Sequence, residues 1–394
     1  ETEDWTQAAL NAGRAHTNAW SSAACDLDND GNPDLLAASY GRAPNKLFRG
    51  LDDGGFENVS VASGYAFDHR QDWSDNESAR CWCTLNPNDE DCAGVPAPSL
   101  IQCQSNADAF RWTHSRDREV WRLGGNSGTT VCGDVNNDGN LDLLTTEIVH
   151  WDVGASSDPS ELLFNDGNSP PVFERPGGEA TGISRSHGRT WDDGDITGAL
   201  FDFDNDGRLD VYIGSTDYGG TRAYLYHQKA DGTFESVPLA DGIDHTSAHG
   251  VGVADFDHDG DLDVVIGHSR FRCSTGEHCY ESGHARLWEN TFGQDGNWLQ
   301  LSLAGGEGTN AAAIGARVTI EAGGLTQTQE VGGGHGHYGI QHDLTLHFGL
   351  GEACDATVTV RWPDGQLTEE TFTLQAGYRY QITQGTDPAP ILTE

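Results

Sequence analysis

Four nine-residue segments set aspartates at spacings that could converge on one cation: Asp26-Leu-Asp-Asn-Asp-Gly-Asn-Pro-Asp34, Asp134-Val-Asn-Asn-Asp-Gly-Asn-Leu-Asp142, Asp202-Phe-Asp-Asn-Asp-Gly-Arg-Leu-Asp210 and Asp255-Phe-Asp-His-Asp-Gly-Asp-Leu-Asp263. All obey D-x-[DN]-x-D-G-x-x-D. Hard carboxylate oxygens at positions one, three, five and nine suit calcium, which takes roughly six to eight oxygens at about 2.3–2.6 Å. The candidate ligands are Asp26, Asp28, Asp30 and Asp34; Asp134, Asn136, Asp138 and Asp142; Asp202, Asp204, Asp206 and Asp210; and Asp255, Asp257, Asp259 and Asp263. The backbone carbonyl at position seven (Asn32, Asn140, Arg208 and Asp261) adds a further oxygen in each loop. Glycine at position six allows the left-handed turn that folds the loop around an ion. Without a cation, such packed carboxylates repel one another. The expected cofactor is therefore Ca2+, about four ions. Position eight (Pro33, Leu141, Leu209 and Leu262) points back toward the core.

The elements that position these loops are short strands. A small or apolar stretch precedes each loop and an apolar run follows it, as Gly250-Val-Gly-Val-Ala and Val264-Val-Ile-Gly do around the fourth. A third apolar strand comes later in each repeat: Lys46-Leu-Phe, Glu161-Leu-Leu-Phe, Ala223-Tyr-Leu-Tyr and Ala285-Arg-Leu-Trp. In the first three repeats Phe56, Phe173 or Phe234 marks a fourth. Serial units of four short antiparallel strands predict an all-β fold with β-propeller blades, at least four of them. The first aspartates are 108, 68 and 53 residues apart. The long first gap holds either a degenerate blade or a Cys-rich insertion at about 65–112; its polarity, prolines and lack of a second loop motif favour the insertion. From Asn297 the chain alternates with period two, in Trp298-Leu-Gln-Leu-Ser-Leu, Ala316-Arg-Val-Thr-Ile-Glu and Ala356-Thr-Val-Thr-Val-Arg-Trp, which predicts a small β domain with one face buried. The expected division is 1–295 for the propeller, 296–384 for this domain and 385–394 for a frayed tail.

With 22 Lys and Arg against 62 Asp and Glu, the 394-residue chain carries a formal charge of −40. Such a chain is repelled by phosphate backbones and anionic lipid, so a nucleic-acid partner is not expected. Four calcium ions would bring the charge to about −32, leaving an acid surplus that favours solubility. No run reaches the roughly 18–20 apolar residues of a membrane span. Eleven Trp, 14 Phe and 10 Tyr argue for packed cores rather than disorder. Of nine cysteines, Cys81, Cys83, Cys92 and Cys103 crowd one stretch, and Cys273 and Cys279 lie close together. Local disulfides suit an oxidising compartment. Cys25 and Cys132, each just before an acidic loop, are expected to face each other across neighbouring repeats, which leaves Cys354 unpaired. Zinc on Cys81 and Cys83 is the alternative, although C-x-C without a nearby CxxC is a weak zinc signal. The absence of a signal peptide and a start at Glu1 without Met read as a processed mature protein. A secreted, extracellular or periplasmic location is expected.

Histidines offer a second kind of metal chemistry. His16, His187 and His249 precede their loops near the start of a first strand, and His268 ends a second strand in register with Glu147. If innermost strands converge on the axis, these side chains could meet at a Zn, Cu or Fe site; a water-lined channel is the alternative. In Gly332-Gly-Gly-His-Gly-His-Tyr-Gly-Ile-Gln-His342, His335 and His337 would share a strand face. No nucleophile elbow, phosphate loop or HExxH occurs, and no catalytic residue is assigned.

The four loops resemble the FG-GAP/VCBS repeats of integrin α-subunit-type propellers. The C-terminal segment, with Asn310-Ala-Ala-Ala-Ile-Gly-Ala-Arg-Val, His347-Phe-Gly-Leu-Gly and Arg361-Trp-Pro-Asp-Gly, looks like a UnbV/ASPIC domain. The combination is similar to that of the cartilage acidic protein family. The resemblance implies a calcium-binding β-propeller of integrin α-subunit type, followed by a small β-sandwich-like domain. It further implies a secreted recognition or adhesion role toward a protein or glycan ligand. Two rivals remain. One is a structural protein that assembles with copies of itself into a matrix, coat or filament. The other is an enzyme, either a calcium-dependent polysaccharide lyase or a redox enzyme using a histidine-bound metal.

Overall fold

The computed structural model describes residues 18–103, 112–185, 192–216, 218–270 and 280–391. The first blade is β1 (Ala19–Cys25), β2 (Asp34–Ser39), β3 (Lys46–Gly50) and β4 (Phe56–Asn58). The second is β5 (Ser127–Gly133), β6 (Asp142–His150), β7 (Glu161–Asn165) and β8 (Phe173–Glu174). The third is β9 (Asp192–Phe201), β10 (Asp210–Ser215), β11 (Ala223–Gln228) and β12 (Phe234–Ser236). The fourth has three strands, β13 (Ala248–Ala254), β14 (Asp263–His268) and β15 (Ala285–Trp288). Each blade is an antiparallel meander, and β6 also pairs with β9, joining the second blade to the third. The all-β, propeller-like fold expected from the repeats is the fold observed.

Between Asn58 and Ser127 the described residues contain no strand. They form helix α1 (Glu77–Leu85) and short helical turns, stapled by Cys81–Cys103 and Cys83–Cys92. These two bridges take up the thiols that a zinc site would need. Asn76 caps α1 by accepting the Ala79 amide, and the Glu77 carboxylate accepts amides from Ser99 to Ile101, tying the far end of the segment to the helix start.

Apolar clusters lie between successive blades. Leu27 at loop position two packs with Leu141 at position eight of the next loop, and Phe203 packs with Leu262 in the same relation. A polar staple repeats alongside. The residue at the end of the third strand (Asn165 or Gln228) or just beyond it (Asn290) donates its side-chain amide to the position-two carbonyl of the preceding loop: Leu27 at 2.7 Å, Val135 at 2.8 Å and Phe203 at 2.6 Å. Cys25–Cys132 bridges the first two blades, as the loop-flanking cysteines led one to expect. Cys354 is free and exposed, while Cys273 and Cys279 lie outside the described residues. After the fourth loop no further blade follows among the described residues, so Phe256, at position two, stays 47% exposed. Asn165→Ala would leave the buried Leu27 and Leu141 carbonyls unpartnered. Such losses amount to about 1–3 kcal/mol each. The expected result is a clear drop in the urea midpoint with an unchanged slope; an unmoved midpoint would show that the staple contributes nothing.

The C-terminal domain is a sandwich of two four-stranded sheets. One contains β16 (Asn297–Ala304), β19 (Leu346–Gly351), β22 (Tyr378–Thr383) and β23 (Ala389–Pro390); the other contains β17 (Arg317–Ala322), β18 (Leu325–Glu330), β20 (Asp355–Arg361) and β21 (Glu369–Gln375). Leu299, Leu301 and Phe348 meet Val318, Ile320 and Val358 in its core. Two expectations need correction. The chain beyond 385 is not simply frayed: β23 pairs with β22, and the Ile391 amide donates to the Arg379 carbonyl. Burial is also not confined to one face. Gln300 and His347 point away from the sandwich core yet are 2% and 5% exposed, because the acidic loops cover them.

Candidate metal centre

The four acidic loops share one backbone. Position four is left-handed at Asn29, Asn137, Asn205 and His258 (φ 58° to 65°), and position six at Gly31, Gly139, Gly207 and Gly260 (φ 86° to 98°). The Oδ2 of the position-one aspartate accepts the position-six amide in every loop, at 2.7–3.1 Å. The Oδ1 of the position-five aspartate accepts the position-seven amide, at 2.8–3.0 Å. The position-nine aspartate is a clamp. Its Oδ2 accepts the position-two amide, at 2.9–3.0 Å. Its Oδ1 accepts the amide of Gly50, Asn165, Gln228 or Asn290 at 2.8 Å, locking the loop to the third strand.

After this internal bonding, Asp26 Oδ1, Asp28 Oδ1, Asp204 Oδ1 and Asp255 Oδ1 remain buried with no hydrogen-bond partner. Buried carboxylate oxygens without a donor are strongly disfavoured unless a cation answers them. Donor oxygens of Asp26, Asp28 and Asp30, of Asp202, Asp204 and Asp210, and of Asp255, Asp257 and Asp259 each lie within 4.8 Å of one another. Burial, reinforced by neighbouring carboxylates, pushes Asp34, Asp134, Asp142 and Asp261 up to about 7, and Asp202 and Asp210 well above the usual carboxylate range. The donor set and its unanswered oxygens fit calcium. In the second loop, where Asn136 replaces an aspartate, the Asn136 amide instead donates to Asp138.

The sandwich closes over the loops. Arg361 donates to Asp26 Oδ2 at 2.6 Å, and Arg317 reaches the Asp26 carbonyl at 3.1 Å and the Gly139 carbonyl at 2.6 Å. Gln300 donates to Asp255 Oδ2 at 2.8 Å. The His347 Nε2–H donates to Asn205 Oδ1 at 2.6 Å, and the Gly351 amide to the Asn205 carbonyl at 2.8 Å. All four loops therefore touch the C-terminal domain. Nothing in the loop motif announced these contacts; the alternation of Gln300 with Leu299 and Leu301 was the available signal, a polar residue on a strand whose second face is also covered.

The glycine-histidine segment is a loop, not a strand, so His335 and His337 do not share a strand face. The Gly336 amide donates to Ser22 on β1, the His337 amide to Thr129 on β5, and the Asp343 amide to Val253 on β13. Ile340 packs in the cluster that holds Ala199 and Phe201 of β9. The loop thus touches the first strand of every blade. His335 and His342, with ring centroids 5.0 Å apart, line a cavity of about 200 Å³ together with Val131, Leu200, Val253 and Glu330. Burial holds both imidazoles neutral, His342 down to about 3.

Of the predicted axial histidines, the two among the described residues meet different neighbours. His16 and His187 lie outside the described residues. His249 packs on Tyr338, with ring centroids 4.4 Å apart. His268 donates Nδ1–H to the Thr246 carbonyl and stacks on His284. Glu147 does occupy the register of His268, paired with Ser127 as His268 is with Ala248, but it is buried on the hydroxyl of Ser127 at 2.6 Å.

Residues 202–266 match the FG-GAP-like repeat, and residues 306–389 match the ASPIC and UnbV domain. Cartilage acidic protein 1 of Homo sapiens is 28% identical over 207 residues, 48% of this chain and 29% of that protein. The Xenopus tropicalis protein of the same name is 30% identical over 176 residues, 42% of this chain and 25% of that protein. Over these segments the chain is similar to the cartilage acidic proteins. The match spans less than a third of the length of these relatives. The FG-GAP-like match covers the third and fourth acidic loops, and the ASPIC and UnbV match covers β17 to β22 but not β16, which carries Gln300. No helix among the described residues is long and apolar enough to cross a membrane.

Proposed function

We propose that this is an extracellular calcium-binding recognition or adhesion protein, in which calcium in the acidic loops sets the face on which the C-terminal sandwich sits. The observation that carries the reading is the repeated loop geometry, with buried Asp26, Asp28, Asp204 and Asp255 oxygens left for a cation after every amide is served. Disulfides and the family relationship favour an oxidising, extracellular setting. Protein or glycan ligands are the partner class this reading expects. Elemental analysis of protein purified without chelator tests it. The expected result is several calcium ions per chain, falling by one in Asp255→Ala; metal-free protein that gains no stability from added calcium would refute it.

Self-association is a second reading, favoured by the apolar side chains on the outer flank of the fourth blade, where Phe256, Leu287 and Phe292 are 47%, 57% and 52% exposed. Light scattering across a concentration series is expected to show growth that Leu287→Glu abolishes. A monomer at every concentration would discard this reading.

A further inference from the structure

The third strands bring different side chains to otherwise similar loops. The residue just before the one whose amide the position-nine aspartate holds is Arg49 on β3, Phe164 on β7, His227 on β11 and Glu289 just past the end of β15. In the first loop Arg49 donates to Asp28 and Asp30. In the third loop His227 Nε2 lies 3.0 Å from Asp204 Oδ2 and 3.7 Å from Asp206 Oδ2. That nitrogen is buried and makes no hydrogen bond despite the short approach, and Asp204 Oδ1 is likewise unpartnered. Donor atoms of Asp204, Asp206 and His227 lie within 4.8 Å of one another, a set that shares Asp204 with the Asp202, Asp204 and Asp210 group.

Which imidazole nitrogen carries the proton decides whether such a cluster can take a metal. Nδ1 of His227 faces Glu235 Oε1 at 4.0 Å. A divalent ion would replace the proton that Asp204, at 3.0 Å, otherwise draws to Nε2; with the proton then on Nδ1, toward Glu235, the Nε2 lone pair faces the aspartates, the arrangement of many histidine metal ligands. A similar trio, Asp89, Asp91 and His114, fails this criterion. There the Trp112 indole N–H donates to His114 Nδ1 at 3.1 Å, so the proton of the neutral ring sits on Nε2 and no lone pair faces the carboxylates. Hardness points the same way. Arg208 already rests on Asp206, which lowers the net negative charge available to a hard ion, while an imidazole nitrogen suits borderline divalent metals.

We propose that the third loop binds a zinc-class divalent ion through His227 Nε2, Asp204 and Asp206, beside the calcium position with which it shares both aspartates. The inference rests on the calcium reading only for those shared ligands. The test uses the full chain with calcium bound and Co2+ as the probe. Wild type is expected to take up one Co2+ with visible d–d absorption that Zn2+ displaces. His227→Gln is expected to weaken Co2+ binding at least tenfold with calcium content unchanged, and Asp206→Asn, which alters a ligand of both positions, to weaken Co2+ and calcium together; thermal melts confirm that both variants fold. No Co2+ uptake by calcium-loaded wild type, or uptake unchanged by both substitutions, would overturn the proposal. His227-dependent Co2+ uptake in a protein that holds no calcium would instead overturn the calcium reading and leave this site standing.

Discussion

Chelation with EDTA is expected to lower the melting temperature by 10 °C or more (about 2.7 kcal/mol per site at a hundredfold excess over Kd, and about 2–4 °C per kcal/mol for domains of 150–250 residues), and readdition of calcium to restore it. The physical reason is local. Each loop holds its carboxylates in place through its own backbone, so the negative charges remain close together whether or not an ion is present. Removing the cation leaves buried oxygens at Asp26, Asp28, Asp204 and Asp255 with neither donor nor metal.

The effect depends on pH in a definite direction. In the metal-free protein, burial raises Asp34, Asp134 and Asp142 from the usual 3.8 to about 7. Between about pH 4 and 7 the folded chain therefore binds more protons than the unfolded chain. The associated stability is fully present below the unfolded pKa and is lost as pH rises through about 7. Metal-free protein should thus become less stable from pH 4 to 7, whereas calcium must displace those protons to bind. Melting curves with calcium and with EDTA are expected to lie furthest apart above pH 7 and to converge as pH falls toward 4. A gap that stays constant across this range would mean that these aspartates do not take up protons when the metal leaves.

The loops were legible in the sequence because their chemistry is local: nine residues fix both the turn and the donors, and glycine at position six has the left-handed backbone that its place in the motif implied. Strand order within a blade was legible for the same reason, through period-two alternation and short connections. Long-range partnerships were not. Asn165 and Asn290 look like ordinary strand ends, and only the stacking of blades shows that each reaches the carbonyl of the preceding loop. The glycine-histidine segment alternates like a strand, but its glycines at 334, 336 and 339 have positive φ and bend it into the loop that contacts all four blades. The histidine reading assigned an axial destination from chain position alone; among the described residues, His249 and His268 meet different neighbours. His227, by contrast, was findable by aligning the third strands on the residue that the position-nine aspartate holds, a register that the loop motif does not include.

Gly349→Val is expected to detach the sandwich from the loops, with a loss on the order of 3 kcal/mol and at least tenfold weaker calcium binding at the third loop. The main chain at Gly349 is not left-handed, so any residue could adopt it. The obstacle is spatial: a Cβ there would collide with the Asp202 carboxylate and the Asn205 backbone. Asp202 stands at position one of the third loop, and Asn205 is the residue that His347 and Gly351 hold. Displacing either moves the loop and the sheet apart together. Gly351→Asn supplies the control. Gly351 has φ 55° and no neighbour within 4 Å of its Cβ position, and asparagine tolerates that backbone, so this change two residues away should leave melting and calcium content within error of wild type. Trp298 gives the readout, because its indole packs against Gly260 of the fourth loop. Its fluorescence should shift toward the solvent-exposed maximum in Gly349→Val at a temperature where the sandwich itself remains folded. If Gly349→Val melts like wild type and binds calcium as tightly, the loops and the sandwich are independent units and their contact contributes nothing to metal binding.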